Sequence, residues 1–177
     1  MAAINYTATL NEIEGWTIVH LPKAESQKLP SRGLAMAEGS IGGVAMRIAV
    51  EPDGKGSHWF ALPDTVMERL AVKAGDTLKV QLDSVEDWDE PEVPADVKAA
   101  LNASPAAHEA WADITPLVRW DWVRWIRATK VAKTREKRIN TAIDMLSHGK
   151  RRPCCFDRSQ CTVPDVSKSG VLLTALD

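Results

Sequence analysis

The chain has 177 residues, of which 45% are hydrophobic and 26% charged, and a net charge of −2. These ordinary globular values exclude a disordered chain, and the length suffices for one domain or two small ones without disulfide or metal staples. No run approaches the roughly 18 apolar residues of a membrane span, the opening Met1-Ala2-Ala3-Ile4-Asn5-Tyr6 lacks a basic region followed by an apolar one, and three cysteines near the end make no disulfide framework, so a cytoplasmic protein is expected.

Residues 1–86 read as short strands. Segments 5–10 and 15–21 are rich in β-branched residues, the second stopped by Pro22. Segments 34–37 and 44–50 flank Gly39-Ser40-Ile41-Gly42-Gly43, whose glycines accept the positive φ of a tight hairpin. Pro52-Asp53-Gly54-Lys55-Gly56 is a second turn, 57–62 a further strand, and 63–70 a short helix with Val66, Met67 and Leu70 on one face. Ala74-Gly75-Asp76 turns into an alternating strand at 77–82. This order predicts a small β-barrel, a solution that removes exposed strand edges.

Residues 87–94, with four acids and two prolines, predict an extended linker, and 95–150 predict four helices. Ser104-Pro105 and Thr115-Pro116 place Pro at the first helical position, where its missing N–H costs nothing. Thr134 is the expected cap of the last helix, on which Ile139, Ala142, Ile143 and Leu146 form one apolar stripe ended by Gly149. Residues 151–177 are expected to be a cysteine-containing tail wrapped on the surface.

The helical part resembles the YdeI/OmpD-associated, or bacteriocin-protection, family. The likeness rests on Val123-Arg124-Trp125-Ile126-Arg127-Ala128-Thr129-Lys130, on Thr134-Arg135-Glu136-Lys137-Arg138-Ile139 and on Met145-Leu146-Ser147-His148-Gly149-Lys150. Pro52-Asp53-Gly54, Trp59, Leu62 and Ala74-Gly75-Asp76-Thr77 resemble the small bacterial β-barrel domain of unknown function that often precedes that family. Lys133 departs from the pattern, which has Glu before Thr-Arg. The resemblance implies an α+β protein, with a closed or double-split (AbrB-like) barrel followed by helices. It also implies a link to envelope stress and to tolerance of cationic antimicrobial peptides, with no accepted reaction.

Charge is segregated along the sequence. Residues 117–152 hold eleven Lys and Arg against three acids, a net of +8, and the remainder nets −10. Lys130, Thr134, Arg135 and Arg138 are therefore the candidate site for an anionic ligand or protein partner, at a helix start where N–H groups are unpaired. The alternative is a solvated face, or arginines that clip the helices to the acidic barrel. Trp111, Trp120, Trp122 and Trp125, interleaved with arginines, have the composition of a nucleic-acid stacking surface, but their helical spacing favours core packing.

Cys154, Cys155, Cys161 and His148 make up the ligand set of a Cys₃His zinc site, although adjacent cysteines and the lack of C-x-x-C weigh against it. No other cofactor is expected. Neighbouring arginines should make the thiols more acidic. Catalytic signatures are absent. An enzyme or small-molecule binder would need a pocket between barrel and helices, with His58 and the nearby Asp53 as the candidates to line it. The leading expectation is a non-enzymatic bacterial protection protein that holds an anionic group.

Overall fold

The computed structural model describes residues 3–173. They form two compact units: one from the residues up to Asp87 joined by Arg158–Cys161 and the chain from Asp165 on, the other from Trp88–Asp157 with Thr162–Pro164.

The first unit is a seven-stranded antiparallel sheet built from β1 (Ile4–Thr9), β2 (Asn11–Ile13), β3 (Trp16–His20), β4 (Ala35–Ile41), β5 (Val44–Pro52), β6 (His58–Ala61) and β7 (Thr77–Ser84). The spatial order is β1-β7-β4-β5-β6-β3-β2. β7 alternates strictly between exposed and buried residues, as the sequence pattern requires of a strand with one face on a core. The hairpin between β4 and β5 closes at Ile41↔Val44 around Gly42 and Gly43, both at positive φ.

β1 and β2 are separated only by Leu10 yet lie at opposite ends of the strand order. The chain bends there, held by Leu10 N–H to the Asp76 carbonyl and Gly75 N–H to the Leu10 carbonyl, both 2.8 Å. The sheet curls, but no ladder among the described residues joins its two end strands. It is a half-barrel, open rather than closed, and corrects the closed form of the expected barrel. The concave face is filled by Val19, Leu21, Val50, Phe60, Val80 and Leu82, all at most 1% exposed. Two short helices, α1 (Lys23–Ser26) and α2 (Asp64–Leu70), complete this part of the unit.

Part of the tail is built into this unit. β8 (Ser167–Lys168) and β9 (Val171–Leu172) form a small hairpin, and Cys161, Val166 and Leu172 are buried. Leu172 N–H donates to the Asp53 carbonyl at 2.9 Å. Gly54 allows the approach: a Cβ there would sit 2.1 Å from the Gly170 carbonyl oxygen, and its φ is +78°.

The second unit packs α3 (Ala95–Asn102), α4 (Pro105–Asp113), α5 (Pro116–Arg127) and α6 (Ala132–Ser147). The core comprises Val97, Leu101, Ala107, Ile114, Val118, Trp122, Ile126, Ile139, Ala142 and Leu146, which includes three of the four predicted stripe residues of α6, and the fourth, Ile143, is partly buried against it. Pro105 and Pro116 open α4 and α5 as expected. The chain after α6 runs along a second side of α5. Trp122 donates its indole N–H to the Arg151 carbonyl at 3.0 Å. Arg152 pairs with the buried Asp121, Phe156 lies 5.4 Å from the Arg124 guanidinium, and Arg127 donates to the Thr162 hydroxyl at 3.1 Å. Asp121 and Arg124, polar and one turn apart, are both at most 1% exposed beneath this segment.

Candidate functional site

The start of α6 divides the four predicted anion-binding residues into two kinds. The residue before the helix is Val131, and no side chain caps the end. Thr134 is thus the third helical residue and not the cap that the sequence suggested. Thr129 instead accepts from Val131 N–H through its hydroxyl, at 3.2 Å. The first turn holds no acid. Lys130, Lys133, Thr134 and Lys137 are exposed, whereas Arg135 and Arg138 are half-buried.

The two arginines are engaged within the unit. Arg135 donates through Nε and Nη2 to the two carboxylate oxygens of Asp96, each at 2.8 Å, the fork-to-fork geometry that favours Arg over Lys. That bond holds the Asp96 carboxyl below the usual carboxylate range and pushes the Arg135 guanidinium up. Asp96 also lies in the first turn of α3, where a negative charge meets the positive end of the helix dipole. Arg138 donates to the Trp125 carbonyl at 2.7 Å and stands 5.6 Å from the centre of that ring. Arg135 thereby ties α6 to α3, and Arg138 ties it to α5.

Pairing within the unit also changes the meaning of the charge segregation. Arg119 pairs with Glu90, Arg135 with Asp96, Arg151 with Asp113 and Arg152 with Asp121. Glu90, Asp96 and Asp113 precede the basic stretch in sequence but belong to the same folded unit. Over 88–157 and 162–164 there are twelve Lys and Arg against ten Asp and Glu, a net of +2. A continuous cationic stripe of the kind that tracks a nucleic-acid backbone is not what this pairing builds. The tryptophans follow suit. Trp122 is fully buried and edge-on to Trp125, with ring centres 6.0 Å apart. Trp120 donates to the Asp89 carbonyl at 2.8 Å.

Among the described residues, no three His, Cys, Asp or Glu converge as metal ligands. His148 is exposed on its helix end and bonds the Asp144 carbonyl through Nδ1 at 2.7 Å. Cys161 is buried, whereas Cys154 and Cys155 are exposed and in mutual contact, with Sγ atoms 3.1 Å apart. The hydrogen bond shared with Cys154 and the negative charge of a Cys154 thiolate favour the protonated form of Cys155 and push its thiol up, opposite to the acidity expected from the neighbouring arginines.

In the first unit, two histidines sit in separate networks. His58 is fully buried. Its Nε2 meets the Gly33 carbonyl and its Nδ1 the Ser26 hydroxyl, both at 2.7 Å. A carbonyl can only accept, so Nε2 carries a hydrogen. Ser26 Oγ also accepts from Arg32 at 3.1 Å. His58→Ala should lower stability by about 2–4 kcal/mol, because it removes buried volume and orphans polar groups. A chemical denaturation curve showing less than about 1 kcal/mol would mean that His58 is not a structural residue.

Asp53 lies in the turn beside His58, with Pro52 registered opposite His58, but its side chain pairs with His20, which lies 33 residues earlier in sequence. His20 Nε2–H donates to Asp53 Oδ2 at 2.9 Å, and Asp53 Oδ1 accepts from the N–H groups of Lys55 and Ser57 at 2.7 and 2.9 Å. Burial pushes the Asp53 carboxyl up, but these hydrogen bonds outweigh it and bring it down to about 2. Sequence spacing carries no signal for this pair. The signal available was the Asx-type turn Pro52-Asp53-Gly54, whose Asp needs a partner for its second oxygen.

No helix among the described residues is long and apolar enough to cross a membrane. No curated protein matches the chain. Residues 6–82 match the model of a domain of unknown function (DUF1905), which fits the half-barrel unit. Residues 90–149 match the model described as Bacteriocin-protection, YdeI or OmpD-Associated, and they span the four-helix unit from its linker to the glycine after α6. The chain is thus similar, in the order its motifs predicted, to the domain of unknown function DUF1905 over its first unit and to the YdeI/OmpD-associated, bacteriocin-protection family over its helices.

Proposed function

We propose that the chain is a non-enzymatic protection-type protein whose helical unit holds an anionic ligand or the acidic surface of a protein partner at the start of α6. The observation that carries this reading is the division of labour there. Arg135 and Arg138 are spent on Asp96 and Trp125, so they fix the helix start, and Lys133, Thr134 and Lys137 stay exposed around an acid-free first turn. Lys133 and Lys137 also line a shallow groove with Glu136, Asn140, Thr141 and Asp144, so the groove carries two carboxylates as well as the two ammonium groups, and an anion is held at its Lys133 end beside the helix start. Lys130 stands at the approach to this turn. The family description supports a role in protection from bacteriocins, and the anionic partner is the chemistry that exposed lysines recognise.

Calorimetric titration with inorganic pyrophosphate tests the reading. Binding should weaken as salt rises, since the site is exposed and screened. Lys133→Ala with Lys137→Ala should weaken it by about tenfold or more, because a hydrogen bond to a charged group contributes roughly 1.5–3 kcal/mol. Absence of binding, or binding indifferent to both lysines, would overturn the proposal. Arg135→Ala should cost at most about 1 kcal/mol of stability, since its pair with Asp96 is partly solvated.

A further inference from the structure

We infer that Cys154 and Cys155 form a bidentate site for a soft, trivalent thiophilic species, of which an organic arsenical(III) is the type. Both thiols are exposed and their sulfurs are 3.1 Å apart, so one incoming atom can bridge them without rearrangement of the chain. Soft thiolate ligands select soft acceptors. The site is presented on a segment held at both ends: Arg152 is paired with Asp121 on α5, and Phe156 lies against Arg124. The pair therefore approaches a ligand already gathered. Chelation also suits this geometry better than a disulfide does. Adjacent Cα atoms are about 3.8 Å apart, below the roughly 4.4–6.8 Å that a disulfide spans, whereas a bridging atom leaves the two sulfurs near their present separation. Cys161, buried elsewhere, takes no part.

With an arsenoxide the balance is simple. Two As–S bonds form, the As–O bond is broken, and the two thiol hydrogens leave with the oxygen as one water. Nothing is oxidised or reduced.

Phenylarsine oxide added to the reduced, full-length protein in the presence of excess glutathione tests the site. Intact mass should show one phenylarsenic group gained and two hydrogens lost. Titratable exposed thiols should fall by two, and a small dithiol should reverse both changes. Cys154→Ser and Cys155→Ser should each lower the affinity by about 100-fold or more, since the second bond becomes unavailable intramolecularly. Cys161→Ser should leave the affinity unchanged. The inference is overturned if either single serine variant keeps the glutathione-resistant adduct, if Cys161→Ser abolishes it, or if no adduct forms while both thiols still react with a monofunctional reagent.

Discussion

Replacing Trp122 with Ala should destabilise the helical unit by about 3–5 kcal/mol, the range for a large aromatic removed from a core. Trp122 is fully buried, touches Trp125 edge-on, and spends its indole N–H on the Arg151 carbonyl. Its loss removes apolar burial from the centre of the unit and also frees the first anchor of the segment that runs along α5. Against a total stability of about 5–15 kcal/mol for a typical domain, much of the unit's margin disappears. Trp120→Ala is the control. Trp120 is half-exposed and its one hydrogen bond goes to the linker carbonyl of Asp89, so the cost should be nearer 1 kcal/mol. Denaturant unfolding followed by helical circular dichroism measures both. Similar small effects for the two variants would mean that these tryptophans form a surface and not a core.

The second large effect belongs to Asp53, and it depends on pH. Its carboxyl is brought down to about 2 from an ordinary 3.8. A depressed folded pKa contributes stability that is fully present above the unfolded value and is lost as pH falls from about 4 through about 2. The shift corresponds to about 2 kcal/mol. Asp53→Ala at neutral pH should cost about 2–4 kcal/mol, since it removes the hydrogen-bond acceptor of His20 and of the Lys55 and Ser57 amides at once. The difference between wild type and variant should then shrink on acidification, because the protonated wild-type carboxyl no longer supplies the same bonds. A stability difference constant between pH 7 and pH 2 would show that the carboxylate charge is not what holds this turn.

Local pattern made much of this fold readable. The alternation of residues 77–82, the paired glycines 42 and 43, the Ser104-Pro105 helix start and the Ile139–Leu146 stripe each specify their own geometry within a few residues. What escaped the sequence is non-local. β2 is three residues long and exists only because β3 pairs with it. The β8–β9 hairpin is two residues a side, too short for periodicity, and is fixed by the close approach of Gly54 and Gly170.

The charge segregation misled for the same reason. A window of 117–152 isolates the arginines from Glu90, Asp96 and Asp113, which fold back against them. The site residues were legible as chemistry but not as roles. Arg and Lys at neighbouring positions look alike in a run of charges, and only the fold separates guanidinium groups committed to Asp96 and Trp125 from ammonium groups left at the surface.

That separation is tested most directly by amide chemical-shift mapping of pyrophosphate binding on wild type, Arg135→Ala and Lys133→Ala/Lys137→Ala. Shifts should be confined to the amides around residues 132–137. These should be kept in Arg135→Ala, with a slightly lowered melting temperature, and lost in the double-lysine variant, with an unchanged one. Shifts abolished by Arg135→Ala while the double-lysine variant still binds, or shifts centred elsewhere in the chain, would contradict it.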